Sequence, residues 1–118
     1  MSDYTKLKVW EDAHQFTIEI YKITKHFPNN EQYGLTSQIR RSASSVPTNI
    51  VEGSGQLTKS NYIRFLGMAQ GSAYEVEYQL LLAKDLGYLE LSDYGSLSKK
   101  IKDIIYMLFG LIKSLRNI

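Results

Sequence analysis

Apolar residues recur three and four positions apart along four stretches of the chain, and no stretch alternates apolar with polar as a strand does. The first spans about Leu7 to Phe27, with Trp10, Ala13, Phe16, Ile20, Ile23 and Phe27 on one broad stripe; Pro28 stops it. The second opens between Asn30 and Thr36 and carries Leu35, Ile39, Ala43, Val46 and Ile50. At helical periodicity these five cover an arc of about 80°, a core-facing face. Pro47 lies inside this pattern, where it lacks the N–H that bonds the Ala43 carbonyl, so a kink or break is expected there. The third stretch follows Thr58, a plausible N-cap, and runs to Leu86, with Gly87 placed as the left-handed residue after the helix. Ser92 is expected to cap the fourth, which carries Leu97, Ile101, Ile104, Leu108, Leu111 and Leu115. Four helices on short loops predict an all-α fold, an antiparallel up-and-down four-helix bundle formed as a single domain over residues 1–118.

Two stretches carry more apolar surface than one bundle needs. The third places Tyr62, Leu66, Ala69, Ala73, Val76 and Leu80 on one side, while Gly67, Gly71, Tyr74, Tyr78 and Leu81 project from the other. A glycine in a helix interior costs about 1 kcal/mol relative to alanine, so Gly67 and Gly71 suggest a close approach to the backbone. The fourth adds Ile105, Phe109 and Ile112 beside its main stripe. A thicker intrachain core is one reading; for the third stretch a subunit interface through Gly67, Gly71, Tyr74 and Tyr78 is the better one, because a large exposed apolar patch usually marks a partner.

With 118 residues, 43% of them apolar and 22% charged, the chain can bury one core but not two. The absence of cysteine excludes disulfides, thiolate nucleophiles, cysteine zinc sites and iron–sulfur clusters. Met1 to Lys6 hold no apolar stretch of the secretory kind. The most apolar run, Ile104 to Ile112, is nine residues against the roughly 20 that a bilayer requires. A cytoplasmic protein without a membrane partner is expected.

The formal net charge is only +2, but it is unevenly spread. Residues 33–64 set Arg40, Arg41, Lys59 and Arg64 against Glu52 alone, and residues 95–118 set five bases against Asp103 alone. Residues 65–94 oppose five acids to Lys84. Arg41, Lys59, Arg64, Lys99, Lys100 and Lys102 are therefore candidate phosphate contacts, if the fold brings them together; scattered surface lysines are the bland alternative.

Catalytic chemistry finds little to work with. Gln38, Ser42, Ser45, Asn49 and Glu52 recur at intervals of four and three beside the apolar stripe of the second stretch. Such a ladder of neutral amides and serines suits a partly buried seam, an interface or a ligand, since each buried polar group needs a partner. Arg40 is placed to reach a carboxylate and Arg41 to face solvent. Glu11 and His14 stand three residues apart, half of the di-iron bundle motif, but the second half is missing and His26 lies twelve residues on, in what reads as the last turn of the first helix. The serines of Ser42-Ala43-Ser44-Ser45 have no nucleophile elbow, and Gly53-Ser54-Gly55 lacks the lysine of a phosphate loop and reads as a helix-ending turn. No catalytic residue, metal site or cofactor is expected.

Four strings stand in order: Lys8-Val9-Trp10-Glu11-Asp12-Ala13; Phe27-Pro28-x-x-Glu31-x-Tyr33-Gly34-Leu35-x-x-Gln38-Ile39-Arg40-Arg41-Ser42-Ala43; Asn49-Ile50-Val51-Glu52-Gly53; and Arg64-Phe65-Leu66-x-x-Ala69-x-Gly71-Ser72-x-x-Glu75. Together they resemble the bacterial four-helix-bundle family first met as open reading frames within intervening sequences of 23S rRNA genes. Val51 stands where the family usually has alanine. The resemblance implies a four-helix protomer assembling into a ring, commonly a homopentamer, with no known enzymatic activity. It implies family motif residues Gln38, Arg40, Arg41, Asn49, Glu52 and Gly53, whose role is architectural or functional. The family is more distantly similar to the accessory variability determinant of diversity-generating retroelements, a basic pentameric barrel that binds nucleic acid and a reverse transcriptase.

The expectation that follows is a non-enzymatic homo-oligomer that binds rRNA or DNA weakly or serves as an accessory protein of a ribonucleoprotein. Its partners are itself and RNA or DNA, with another protein as the alternative in a scaffold without nucleic acid. An enzyme using the polar ladder of the second helix is the least favoured reading.

Overall fold

Four α-helices carry the chain: α1 (Lys8–Ile23), α2 (Leu35–Ser54), α3 (Lys59–Asp85) and α4 (Leu91–Arg116). The computed structural model describes residues 3–117, and among them there is no strand. Short 3₁₀ turns at Tyr4–Lys6, Thr24–His26 and Asn29–Glu31 flank α1 and lead into α2. The helices form a rod of 45 × 24 × 20 Å. α2 packs most extensively on α3 and α3 on α4, while α1 closes the bundle against α2 and α4.

The core is the set of stripes read from the sequence. Phe16 and Ile20 of α1, Ile39 and Ile50 of α2, Leu66 and Leu80 of α3, and Ile101 and Leu108 of α4 are all buried in one cluster. Ile105 and Ile112 join it, so the widened face of α4 is partly intrachain core; Phe109 stays outside.

The helix ends show how local chemistry sets the boundaries. α1 stops at Ile23, short of the expected Phe27, because its last turn tightens into 3₁₀ geometry and the Thr24 hydroxyl donates to the Ile20 carbonyl at 2.7 Å. His26 therefore lies beyond α1, and Phe27 is extended at φ −69° and ψ 154°, as a residue preceding proline prefers. Thr58 caps α3, its hydroxyl accepting the Asn61 N–H at 3.1 Å. After α3, Gly87 takes φ 81°, with its N–H on the Lys84 carbonyl and that of Tyr88 on the Ala83 carbonyl, a Schellman turn. Ser92 does not cap α4. Buried Leu89 and extended Glu90, at ψ 153°, bring the chain into helix at Leu91, and Ser92 falls within the first turn.

Pro47 does not break α2, which runs through it from Leu35 to Ser54. The carbonyl it leaves without an N–H, that of Ala43, lies 3.1 Å from the Thr17 hydroxyl of α1. That hydroxyl also lies 2.8 Å from the Ala13 carbonyl, so one hydrogen serves two acceptors.

Candidate functional site

The motif residues of α2 divide by what they touch. Arg40 does not reach a carboxylate: its Nε donates to the Thr24 hydroxyl at 2.8 Å, one Nη donates to the Tyr21 carbonyl at 3.2 Å, and the guanidinium lies over the Tyr21 ring. It thereby ties α2 to the end of α1, where carbonyls lack helical partners. Gly53 sits where α2 meets α3, and a Cβ there would stand 2.9 Å from the Phe65 Cβ and 3.0 Å from the Tyr62 ring. The sequence reading of Gly53 as turn chemistry misses this; only glycine allows the approach. Asn49 is buried and donates to both the carbonyl and the hydroxyl of Ser45 at 2.9 Å. Gln38, Arg41 and Glu52 are exposed instead, with Arg41 donating to the Ser37 hydroxyl at 2.9 Å.

The polar ladder is a seam between α2 and α3. Ser45 meets Ser72 hydroxyl to hydroxyl at 2.9 Å, and Ser42 donates to the Gln38 carbonyl one turn back. Beside this seam opens a cleft of ≈ 300 Å³ lined by Gln38, Arg41, Ser42, Ser45, Ser72, Glu75 and Gln79. Gln79 is only 8% exposed, and its buried Oε1 has no hydrogen-bond partner among the described residues. Arg41 and Glu75 line the same cleft without forming an ion pair.

A second polar arrangement escapes sequence reading. The Glu31 carboxylate accepts the Leu35 N–H at 3.1 Å through Oε1 and the Tyr88 hydroxyl at 2.8 Å through Oε2. The Phe27 ring packs against the Tyr88 ring at a tilt of 50°, with centroids 5.5 Å apart. A Cβ at Gly34 would lie 2.6 Å from Glu31 Oε1, so that glycine leaves room for the carboxylate at the start of α2. The Phe27-Pro28-x-x-Glu31-x-x-Gly34 string is thus a clamp that fastens the α1–α2 connection to the α3–α4 turn. In the sequence its residues stand in the second of the four ordered strings, with an acid three residues ahead of a glycine at a helix start, but nothing there points to Tyr88.

Gly67, Gly71, Tyr74 and Tyr78 of α3 all face outward. Tyr74 is 49% and Tyr78 61% exposed, and no atom lies within 4 Å of where a Cβ of Gly67 or Gly71 would be. The close approach that their glycines suggest is therefore not made within the chain.

The nominated cations do not form one tight cluster. Lys100 pairs with Glu19 of α1 at 2.9 Å and Lys99 with Asp103 at 3.1 Å, while Lys102 is exposed. Arg64 is exposed on the first turns of α3 over the Phe65 ring, and Lys59 opens the same helix. Arg41 belongs to the α2–α3 cleft. The paired lysines remain at the surface, where such ion pairs hold only weakly.

Glu11 accepts a bond from Gln15, and the His14 ring stacks on Trp10 at 5.2 Å. Among the described residues, no three His, Asp or Glu side chains group as metal ligands. No helix there is long and apolar enough to cross a membrane.

An all-α protein of four packed helices, joined by polar seams, caps and clamps, is the class these features define. The chain belongs to the 23S rRNA-intervening sequence protein family, whose model matches residues 5–110. It is similar to a crystal structure, at 1.70 Å resolution, of a protein of unknown function from the S23 ribosomal protein family of Bacteroides thetaiotaomicron VPI-5482. The two share 27% sequence identity with a TM-score of 0.83, over 89% of this chain and 95% of that one. No curated protein matches the chain.

Proposed function

We propose that the protein is a non-enzymatic homo-oligomer, a ring of antiparallel four-helix protomers that binds RNA or DNA weakly and without sequence preference. The observation that carries the reading is the outward face of α3, where Tyr74 and Tyr78 stand exposed beside two open helix-interior glycines. Five protomers is the number implied by the family resemblance. The up-and-down course is supported by the bonds of α1 to α2: Thr17 meets Ala43, whereas Thr24, further along α1, meets the earlier residue Arg40.

A protomer alone offers few cations to a phosphate backbone. A ring repeats Arg41, Lys59, Arg64, Lys99, Lys100 and Lys102 in every copy and brings many phosphates into reach together. Light scattering at micromolar concentration tests the assembly: a multiple of 13.5 kDa is expected, and 13.5 kDa itself overturns the reading. Fluorescence anisotropy with single-stranded RNA and DNA at two salt concentrations tests the binding. Affinity should fall steeply with salt, with a slope of roughly −0.7 per neutralised phosphate on single strands. Charge reversal of Lys99, Lys100 and Lys102 should weaken all sequences alike. No binding at low salt, or no effect of the triple reversal, removes nucleic acid from the proposal.

A second reading, a scaffold that engages a protein without nucleic acid, has its own observation in the α2–α3 cleft. The orphaned Gln79 Oε1 there calls for a donor from outside the described residues.

A further inference from the structure

We propose that a groove at the start of α2 holds the phosphate of a nucleoside monophosphate, with the base laid on Tyr33. The groove lies within one chain, so the inference stands apart from assembly and from the lysines of α4. Its volume is ≈ 460 Å³, within the range of small-molecule sites. Tyr21, Tyr33, Thr36, Ser37, Arg40 and Arg41 line it, and no acid does.

The donors converge on an anion. Thr36 is only 7% exposed, yet its hydroxyl has no hydrogen-bond partner among the described residues. The sealed, unpartnered side-chain atoms there belong to Gln70 and Gln79, so the Thr36 oxygen opens onto the groove that its residue lines. The backbone adds two more donors. The Leu35 N–H goes to Glu31 and the Gln38 N–H to the Gly34 carbonyl, but no carbonyl takes the N–H groups of Thr36 and Ser37 between them. Gly34, at the N-cap, has no side chain to do so. Arg41 is held beside this turn by its bond to the Ser37 hydroxyl, and Arg40, anchored by Thr24 and Tyr21, keeps its other Nη unbonded among the described residues. A phosphate, with several acceptor oxygens and negative charge, satisfies all of these at once.

Glu31 is the carboxylate bonded at this helix start, and it opposes an anion. It lies outside the lining, with its oxygens on the Leu35 N–H and the Tyr88 hydroxyl. Two guanidiniums against this one carboxylate leave the balance positive.

The base is argued from Tyr33. Its side chain is 90% exposed, and its ring meets no other ring or cation among the described residues. An open aromatic face beside a phosphate site is a platform on which a base stacks. Inorganic phosphate alone would leave that ring uncovered.

Calorimetric titration of the full chain with adenosine monophosphate, inorganic phosphate and adenosine tests the site. The nucleotide should bind most tightly and adenosine least. Thr36→Val and Arg41→Gln should each weaken the nucleotide roughly tenfold. Tyr33→Ala, at a position that packs on nothing, should weaken the nucleotide by a similar factor and leave inorganic phosphate unchanged. In amide NMR spectra the nucleotide should shift Thr36 and Ser37. No binding of the nucleotide, adenosine bound as tightly, shifts that spare both amides, or any of the three variants binding the nucleotide as wild type does would overturn the proposal. Competition by a short DNA strand with a terminal phosphate, against the same strand with a terminal hydroxyl, separates the sources. Displacement by the first alone identifies a strand end, and displacement by neither identifies the free nucleotide; displacement by both shows that internal phosphates suffice and overturns the monoester. K99E/K100E/K102E should bind adenosine monophosphate as wild type does, so failure of the strand-binding surface and failure of this groove are read separately.

Discussion

The Tyr88 hydroxyl donates to Glu31 at 2.8 Å, joining residues 57 positions apart at one end of the bundle. The bond lowers the Glu31 pKa, with the Leu35 N–H acting the same way and burial opposing both. The same carboxylate raises the Tyr88 pKa, helped by burial. A lowered carboxyl pKa stabilises the fold above the glutamate's unfolded value, and that contribution is lost as pH falls through the folded value. A raised phenol pKa stabilises it below the ordinary tyrosine value, with the loss as pH rises through the folded one. Glu31→Gln should therefore lower Tm at neutral pH, and the gap to wild type should close in acid. Thermal melts from pH 7 downward check this; a gap that persists unchanged in acid refutes the role of the charge.

Thr17→Val should destabilise the fold by about 1–3 kcal/mol, because it leaves the Ala43 carbonyl buried without a donor. In a Pro47→Ala background the helix regains the missing N–H, and the cost of Thr17→Val should shrink. Urea denaturation of the four chains of this double-mutant cycle measures the coupling. Equal costs in both backgrounds would show that the hydroxyl does not answer the proline.

Gly53 and Gly67 should respond oppositely to alanine. At Gly53 the new methyl meets Phe65 and Tyr62, an overpacking that costs about 1–3 kcal/mol. At Gly67 it meets nothing in the chain, and helix propensity should add about 1 kcal/mol. Urea denaturation repeated over a range of protein concentrations separates this gain from any loss of assembly.

Iron, manganese and zinc should bind without stoichiometry. Calorimetric titration that shows a tight site lost on His14→Ala would restore the Glu11 and His14 half-motif as a metal centre.

The helices and their buried stripes could be read from the sequence because a 3.6-residue period is written into Phe16, Ile39, Leu66 and Ile101 alike. Thr58 and Gly87 were readable too, since capping depends on the residue itself. What escaped was set by distant partners: the tolerance of Pro47 depends on Thr17, and the Glu31 clamp depends on Tyr88. The exposed α3 face was legible as surplus apolar surface, whereas the division of the widened α4 face was not, because only the packed bundle shows Ile105 and Ile112 turned inward and Phe109 left outside.

The hydroxyl contact between Ser45 and Ser72 works as a height mark along the rod. Alanine, valine and leucine contacts tolerate a slide of one turn, about 5.4 Å, with little change in the hydrocarbon they cover. The serine pair does not, since a slide would part the two hydroxyls, whereas the Asn49 amide, bonded to Ser45 within α2, would travel with its helix. Gly71 adjoins Ser72 in the chain, so the mark that aligns α2 with α3 also sets the level at which the outward face of α3 is presented. The pair thereby holds Tyr74 and Tyr78 at one height against α2.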